Sequence, residues 1–442
     1  MPDRFNRFWA LAALFLSSIA TAQSPVQTEQ IVATSPEYQE RASELLDILK
    51  GSGTEEQFFA SSFLEAIPLP QFRTTLAQLK TRYGEPLHIS RIIPANAQNG
   101  GKDGTVEITY AKAIVAVRMV LDDSPPYPVI GLQVTGANVT DDNIAKITQE
   151  FRDLPGIAGF EIADLDSNQP TMLESLNRDQ QFAVGSTFKL YVLAALSRAI
   201  AQGDRNWNDV VPLSRKSLPS GILQNWPSDS PLTLQTLATL MISISDNSAT
   251  DILMEQLGSE SINRIVLESG HSAPEKTLPM LKTIETFALK MPGNEDLRSR
   301  YLTASDGQQM QLLQEHSNQL NVESTAIGNF ANNPRHIETI GWFAAPSDVT
   351  GILNLINQIE DPVVHEILKM NPMIPPADAL RWNYLGGKGG SLPGVISFAF
   401  LAKSKSGKSY AVSGSWNNKE TPVDAEMFIT MMNRLLNLTA ER

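Results

Sequence analysis

The stretch Gly185-Ser186-Thr187-Phe188-Lys189-Leu190-Tyr191-Val192-Leu193-Ala194 puts a serine and a lysine three residues apart at the head of an apolar run. Phe182–Gly185 before it lacks helical periodicity, so the serine falls at a helix start, and Leu190, Val192, Leu193 and Leu196 predict that the helix is buried. Residues three apart on a helix share one face. The Lys189 amine can therefore reach the Ser186 hydroxyl and take its proton. A helix start also offers free backbone N–H groups and a positive dipole end, where a carbonyl oxygen gaining charge is stabilised. This is a starting set for acyl transfer without a catalytic histidine.

Two further patterns lie downstream. Ser245-Asp246-Asn247 separates two helical stretches, Thr233–Ser243 and Asn247–Leu257. A second hydroxyl there can pass a proton toward a leaving nitrogen, and the Asn247 amide can hold a substrate carbonyl or orient Lys189. The same residues also suit a helix cap, and the two roles are compatible. Lys388-Gly389-Gly390-Ser391 reads as a loop before a strand that begins near Val395. Its glycines let a substrate lie against the backbone, and its lysine puts a cation beside the pocket.

At 442 residues the chain exceeds what one compact domain usually holds. A net charge of −13 argues against a nucleic-acid partner, which requires clustered Lys and Arg. With no cysteine, disulfides, thiolate metal sites and a cysteine nucleophile are excluded. The histidines, at 88, 271, 316, 336 and 365, lack metal-ligand spacing, and His365-Glu366 has no second histidine to complete a zincin motif, so no metal and no cofactor are expected. Nor does a Gly-x-Ser-x-Gly elbow appear. Met1–Ala22, with Arg4 and Arg7 before the apolar run Trp9–Ile19 and small residues at Ala20-Thr21-Ala22, predicts a cleaved export signal, hence a periplasmic or secreted protein with no membrane span after cleavage.

The hydrophobic period divides the rest in two. Ser35–Lys50 and Phe58–Tyr83, the latter broken near Pro68 and Pro70, read as helices. Thr105–Tyr110, Ala113–Leu121 and Val129–Val134 read as strands of a small antiparallel sheet. A fresh pattern begins near Thr140: a helix over Asn143–Leu154, a strand over Gly159–Leu165, and a helix over Ser186–Gln202. Strands over Val395–Ala402 and Tyr410–Ser415 and a closing helix over Asp424–Leu438 follow at the end. This order predicts an α+β domain over 140–442 with one antiparallel sheet flanked by helices, its outer strands drawn from both ends of the segment.

The three motifs stand in the order SxxK, SDN and KTG of class A β-lactamases and penicillin-binding proteins, and the chain resembles that family over most of Thr140–Arg442, including the flanks Ile157–Asp164 and Leu232–Asp251. The resemblance implies a β-lactamase/transpeptidase-like fold, a nucleophile at Ser186, a base at Lys189, a proton relay at Ser245 and a substrate contact at Asn247. It also implies a cationic pocket residue at Lys388, substrate-binding backbone at Gly390 and Ser391, and an oxyanion hole from the N–H groups of Ser186 and Ser391. More specifically, the layout is similar to the serine hydrolases of clavulanate gene clusters. These join a cone-shaped α+β domain of the NTF2/steroid-isomerase type, here about 26–138, to the lactamase-like domain.

Three departures from the class A pattern qualify the expectation. The water-activating glutamate of an E-x-x-L-N motif is represented only by Glu275, before Leu278-Pro279, and by Glu285. Gly389 stands where a hydroxyl usually helps hold the β-lactam carboxylate. The stretch between Asn247 and Lys388 is longer than in class A and is expected to form a cap. The expected function is therefore a serine hydrolase acylated on Ser186 by small acyl substrates, β-lactams first. A D,D-peptidase or esterase of the same fold and a non-turnover binder of β-lactams or cell-wall fragments stand as alternatives.

Overall fold

The computed structural model describes residues 34–95, 101–167, 169–320 and 333–442, side chains at 376–377 excepted. The expected export signal lies outside them. The chain falls into two compact units, Met1–Asp142 and Asn143–Arg442.

In the first unit, Ser35 caps α1 (Pro36–Lys50) by accepting from the Tyr38 N–H, and Gly51, at φ 84°, ends it. α1 buries Tyr38, Ala42, Leu45, Ile48 and Leu49. The expected broken helix over Phe58–Tyr83 resolves into α2 (Glu55–Phe58), α3 (Ser61–Ala66) and α4 (Leu69–Tyr83), with Pro68 at the cap of α4. A four-stranded antiparallel sheet follows in sequential order: β1 (Pro86–Pro94), β2 (Asp103–Tyr110), β3 (Ala113–Leu121) and β4 (Val129–Val139). β3 throughout and β2 from Gly104 onward alternate between buried and half-exposed positions, which made them readable. β1 escaped the sequence reading because it is a mostly exposed edge strand with proline at both ends.

The second unit opens with α5 (Ile144–Asp153), β5 (Ile157–Asp164) and β6 (Thr171–Leu176). β7 (Phe182–Ala183) then leads through a 3₁₀ turn, Gly185–Phe188, into α6 (Lys189–Ala201). A ribbon of β8 (Val210–Pro212) and β9 (Pro231–Thr233) precedes α7 (Leu234–Ser243), α8 (Asn247–Leu257) and α9 (Ser259–Glu268). Next come α10 (Thr283–Lys290), α11 (Glu295–Thr303), α12 (Asp306–Glu315), β10 (Phe343–Ala344), α13 (Pro346–Asn357), α14 (Pro362–Lys369) and α15 (Pro376–Ala379). The unit closes with β11 (Tyr384–Leu392), β12 (Val395–Lys403), β13 (Ser409–Asn417) and α16 (Ala425–Ala440).

Its main sheet is antiparallel throughout, in the order β11-β12-β13-β5-β6. Both faces are covered, so every residue of β12 but Lys403 is buried, and all of those but Ser397 are apolar. Ile396, Phe398 and Phe400 pack toward α5 and α16, while Ala399 and Leu401 join the core built around α6, α7, α8 and α13. α6 is buried over most of its length, Lys189 to Ser197, the expected setting for so apolar a helix. Among the described residues no helix is long and apolar enough to cross a membrane.

One expectation is corrected here. Lys388–Ser391 is not a loop but the heart of the edge strand β11, in register Lys388↔Ala399 and Ser391↔Ile396 with β12. Four glycines, at 386, 387, 389 and 390, erase the β signal.

Candidate active site

The short β7–β10 pair fixes the nucleophile's turn. Phe343 lies opposite Ala183, and the Val184 N–H donates to the Trp342 carbonyl at 2.9 Å. Gly185 then adopts φ 50°, a left-handed conformation open to glycine, and starts the 3₁₀ turn. The Phe188 ring stacks on Trp342 with centroids 3.9 Å apart and planes 6° apart. Ser186 is left half-exposed between buried neighbours. The helix expected from Ser186 onward thus begins as a tighter turn, and the α-helix proper starts at Lys189.

β11 crosses this turn at contact distance. A Cβ at Gly390 would lie 2.1 Å from the Val184 carbonyl oxygen and 2.5 Å from the Ser186 nitrogen, and a Cβ at Gly185 would lie 3.0 Å from the Ser391 nitrogen. Only bare backbone fits, and it sets the Gly390–Ser391 backbone beside that of Ser186. Position 389 is closed on the other face: a Cβ there would meet Met373 and Phe398, each at 2.9 Å. A threonine at 389 would have to displace Met373 and Phe398, and the exposed Ser391 is the nearest hydroxyl in the strand.

Lys189 is wholly buried. Its Nζ makes hydrogen bonds to the Ser245 carbonyl at 2.7 Å, Ser245 Oγ at 3.1 Å and Asn247 Oδ1 at 2.8 Å. Burial, then the Lys388 charge, pushes this amine well below its ordinary value, against the smaller pull of Asp246 and Asp251. Ser186 Oγ has no hydrogen-bond partner among the described residues, so amine and nucleophile stand one turn apart without being joined.

The 245–247 corner is rigid. Asp246 caps α8 through the Ala249 N–H at 2.9 Å and accepts from Ile222 and Leu223 N–H at 2.7 and 3.0 Å. Asn247 donates to the Leu218 carbonyl at 3.1 Å while its oxygen faces Lys189, so its amide orients the lysine. Ser245 sits at φ 59°, unusual for a residue with a side chain, and this aims its hydroxyl between two amines. Lys388 Nζ donates to Ser245 Oγ at 3.1 Å and to the Gly389 carbonyl at 2.6 Å. Burial pushes the Lys388 amine down to about 7. A serine hydroxyl bridging two buried amines, at least one of them poised to lose its proton near neutrality, is suited to moving protons.

Glu275 is exposed on the turn Pro274–Lys276. Glu285 is held by the Lys282 N–H and Nζ, both at 2.8 Å, and lines a cleft of about 410 Å³ with Arg215, Glu255, Met254 and Met280, a cleft that none of Ser186, Lys189, Ser245 and Lys388 lines. Asp251 escaped the sequence reading. It is one turn along α8 from Asn247 and accepts from Ser217 Oγ, Thr283 N–H and Oγ1, and Ile284 N–H at 2.6–3.1 Å, tying α10 to the corner that holds Lys189. Its spacing of four from Asn247 was the available signal. Among the described residues no group of three or more His, Asp or Glu side chains is placed to hold a metal ion.

No curated protein matches the chain. Among solved structures, a beta-lactamase from Sphaerobacter thermophilus is 20% identical, covering 67% of this chain and 96% of its own at a TM-score of 0.45. PBP-A is 18% identical over 67% and 95% at 0.45, and a beta-lactamase from Francisella tularensis 15% identical over 67% and 99% at 0.45. Residues 141–320, the stretch that contributes Ser186, Lys189 and Ser245–Asn247 to the site, match the model of the beta-lactamase enzyme family.

Proposed function

We propose that this chain is an exported serine hydrolase whose Ser186 is acylated by β-lactams and then released by water. The observation that carries the proposal is the buried Lys189 amine, its proton affinity pushed well down by burial, one turn from the half-exposed Ser186 and hydrogen-bonded to a hydroxyl that also bridges to Lys388. The family match of residues 141–320 supports the reaction class.

In this account neutral Lys189 takes the Ser186 proton as Oγ bonds to the lactam carbonyl carbon. The N–H groups of Ser186 and Ser391 face the oxyanion. The proton passes from Lys189 through Ser245 Oγ to the ring nitrogen as the C–N bond breaks, leaving an ester on Ser186. Water then splits the ester and returns the proton to Oγ. Incubation with nitrocefin, followed by intact mass, tests this. Many turnovers per chain support hydrolysis. A stable one-to-one adduct supports the non-turnover binder or a peptidase or esterase, a reading favoured by the placement of Glu275 and Glu285. No adduct with any β-lactam overturns the proposal.

Lys388 gives the site a pH signature. Below about 7 its amine is a cation, and above that it is neutral. Binding of an anionic β-lactam is expected to weaken as pH rises through that value, by up to about tenfold between about pH 6 and pH 8. The pH dependence of KM, or of the half-saturating concentration for acylation, reads this; a flat profile would show that Lys388 does not hold the anion.

The helices-then-sheet order of the first unit supports the steroid-isomerase-like reading of that unit, to which no chemistry is assigned. The N-terminal pattern Met1–Ala22 supports export.

A further inference from the structure

Resting on the acyl-enzyme reading above, we infer that the strap of residues 370–373 closes one end of the substrate cleft. Met373 is then a specificity-determining residue, its thioether limiting the site to acyl compounds with a compact group at the Lys388 end. The placement follows from the face of the main sheet on which each contact lies. Directly paired residues of neighbouring strands point to the same face. Lys388 is paired with Ala399 and Gly386 with Leu401, both in the core around α6. Gly389 is paired with Phe398, in the core of the opposite face. α14 ends on the first face: Ile367 and Leu368 belong to the α6 core, and a Cβ at Gly386 would lie 2.9 Å from Leu368. By Ile374 the chain has reached the core of the second face, with Met373 packed against it. It has to pass round an edge of the sheet to get there, and β11 is the edge strand it touches.

The crossing is tied to both walls of the site. On one side, Asn371 Nδ2 donates to the carbonyl of Ser243, the last residue of α7, at 2.8 Å, just before the Ser245–Asn247 corner. On the other, Met373 lies against Gly389: a Cβ there would stand 2.9 Å from its Sδ and 3.0 Å from its Cε. Between the two, Asn371 Oδ1 accepts from the Met373 N–H at 3.3 Å. Ser245 Oγ and the Gly389 carbonyl are also the two groups to which the Lys388 amine donates, at 3.1 and 2.6 Å. The strap thus joins the same two walls that Lys388 bridges. Along β11 the order of neighbours is Leu368 at Gly386, Met373 at Gly389 and Ser186 at Gly390. The free edge of the strand is covered up to Gly389 and opens where Ser186 begins.

The half-buried Met373 takes φ 60°, a left-handed conformation that glycine or asparagine adopts at lower cost. What methionine adds is its side-chain contact. A thioether is a weak acceptor and no donor, so it fills space and meets apolar surface but holds neither an anion nor an amide. At this end the site therefore offers one cation, Lys388, and an apolar stop. A carboxylate drawn to Lys388 fits as a terminal group, and anything attached beyond it runs into Met373. Small acyl compounds and chain ends are selected over acyl groups with chain on both sides.

The test compares benzylpenicillin with its benzyl ester, which adds bulk at the carboxylate, as acylating agents of the full chain, followed by intact mass over time. Wild type is expected to favour the acid over the ester by about 100-fold in acylation efficiency. Met373→Ala should raise efficiency with the ester about tenfold and leave that with the acid within about threefold. The change should sit in the half-saturating concentration rather than the limiting rate, a split that a general loss of structure would not give. Met373→Leu, which keeps the bulk, should keep the wild-type ratio. Asn371→Ala releases the strap from Ser243 without altering Met373, and should shift the ratio the same way by a smaller factor. The ester's lost attraction to Lys388 is common to every variant and cancels in the comparison. A folded Met373→Ala protein whose acid-to-ester ratio stays within about twofold of wild type overturns the inference while leaving the acyl-enzyme intact. Should that variant fail to fold, an unchanged ratio in Asn371→Ala overturns it. Wild type that forms no adduct with either compound overturns both readings.

Discussion

Ser186→Ala should gain no mass from any β-lactam and lose turnover by on the order of 10⁶-fold, the scale seen when a serine nucleophile is removed. The expectation follows from placement. The side chain is half-exposed at the mouth of a turn whose other residues are buried, with the Gly390–Ser391 backbone alongside. The change removes one oxygen that has no hydrogen-bond partner among the described residues, so folding should be unaffected. Intact mass spectrometry with a thermal melt checks both halves. An adduct on a folded Ser186→Ala protein would move the nucleophile elsewhere.

Lys189→Met should cut acylation by about 10²- to 10⁴-fold, the usual contribution of a positioned base. Methionine keeps much of the length of the chain but supplies no lone pair of comparable basicity. It leaves Asn247 Oδ1 and the Ser245 carbonyl without the donor they share, which the corner can tolerate because Asn247 stays bonded to Leu218 and Asp246 still caps α8. Because the lysine's proton is already disfavoured by burial, losing it also removes a cost. Burst-phase acylation kinetics, with circular dichroism as control, reads the effect. A burst of wild-type rate would show that some other group deprotonates Ser186.

Much of the second unit was readable because its elements obey simple periods. α6 is largely apolar and buried, α8 carries its own Asp246 cap, and β12 is a mostly apolar strand between two covered faces. β11 was not readable, since its glycines exist to let a backbone lie against Ser186 rather than to favour a strand. The stretch from Ser259 to Ala379, left without assigned elements by its sequence, holds seven α-helices, α9 to α15, among its described residues. Around α10 to α12 it forms a separate small core that includes Leu289, Leu297, Leu313 and Ile340. The residue types of the site were visible, but their partnerships were not. That Lys189 directs its amine to Ser245 and Asn247, and that Ser245 takes φ 59°, both depend on tertiary packing. Local sequence carries no record of such contacts.

The most direct measurement is peptide mapping after brief exposure to penicillin. Trypsin should release residues 179–189, which contain Ser186 and Thr187 and end at Lys189. One penicilloyl group on that peptide, located by fragmentation to Ser186, is the predicted result. An adduct on Thr187, on any other peptide, or on none would contradict it.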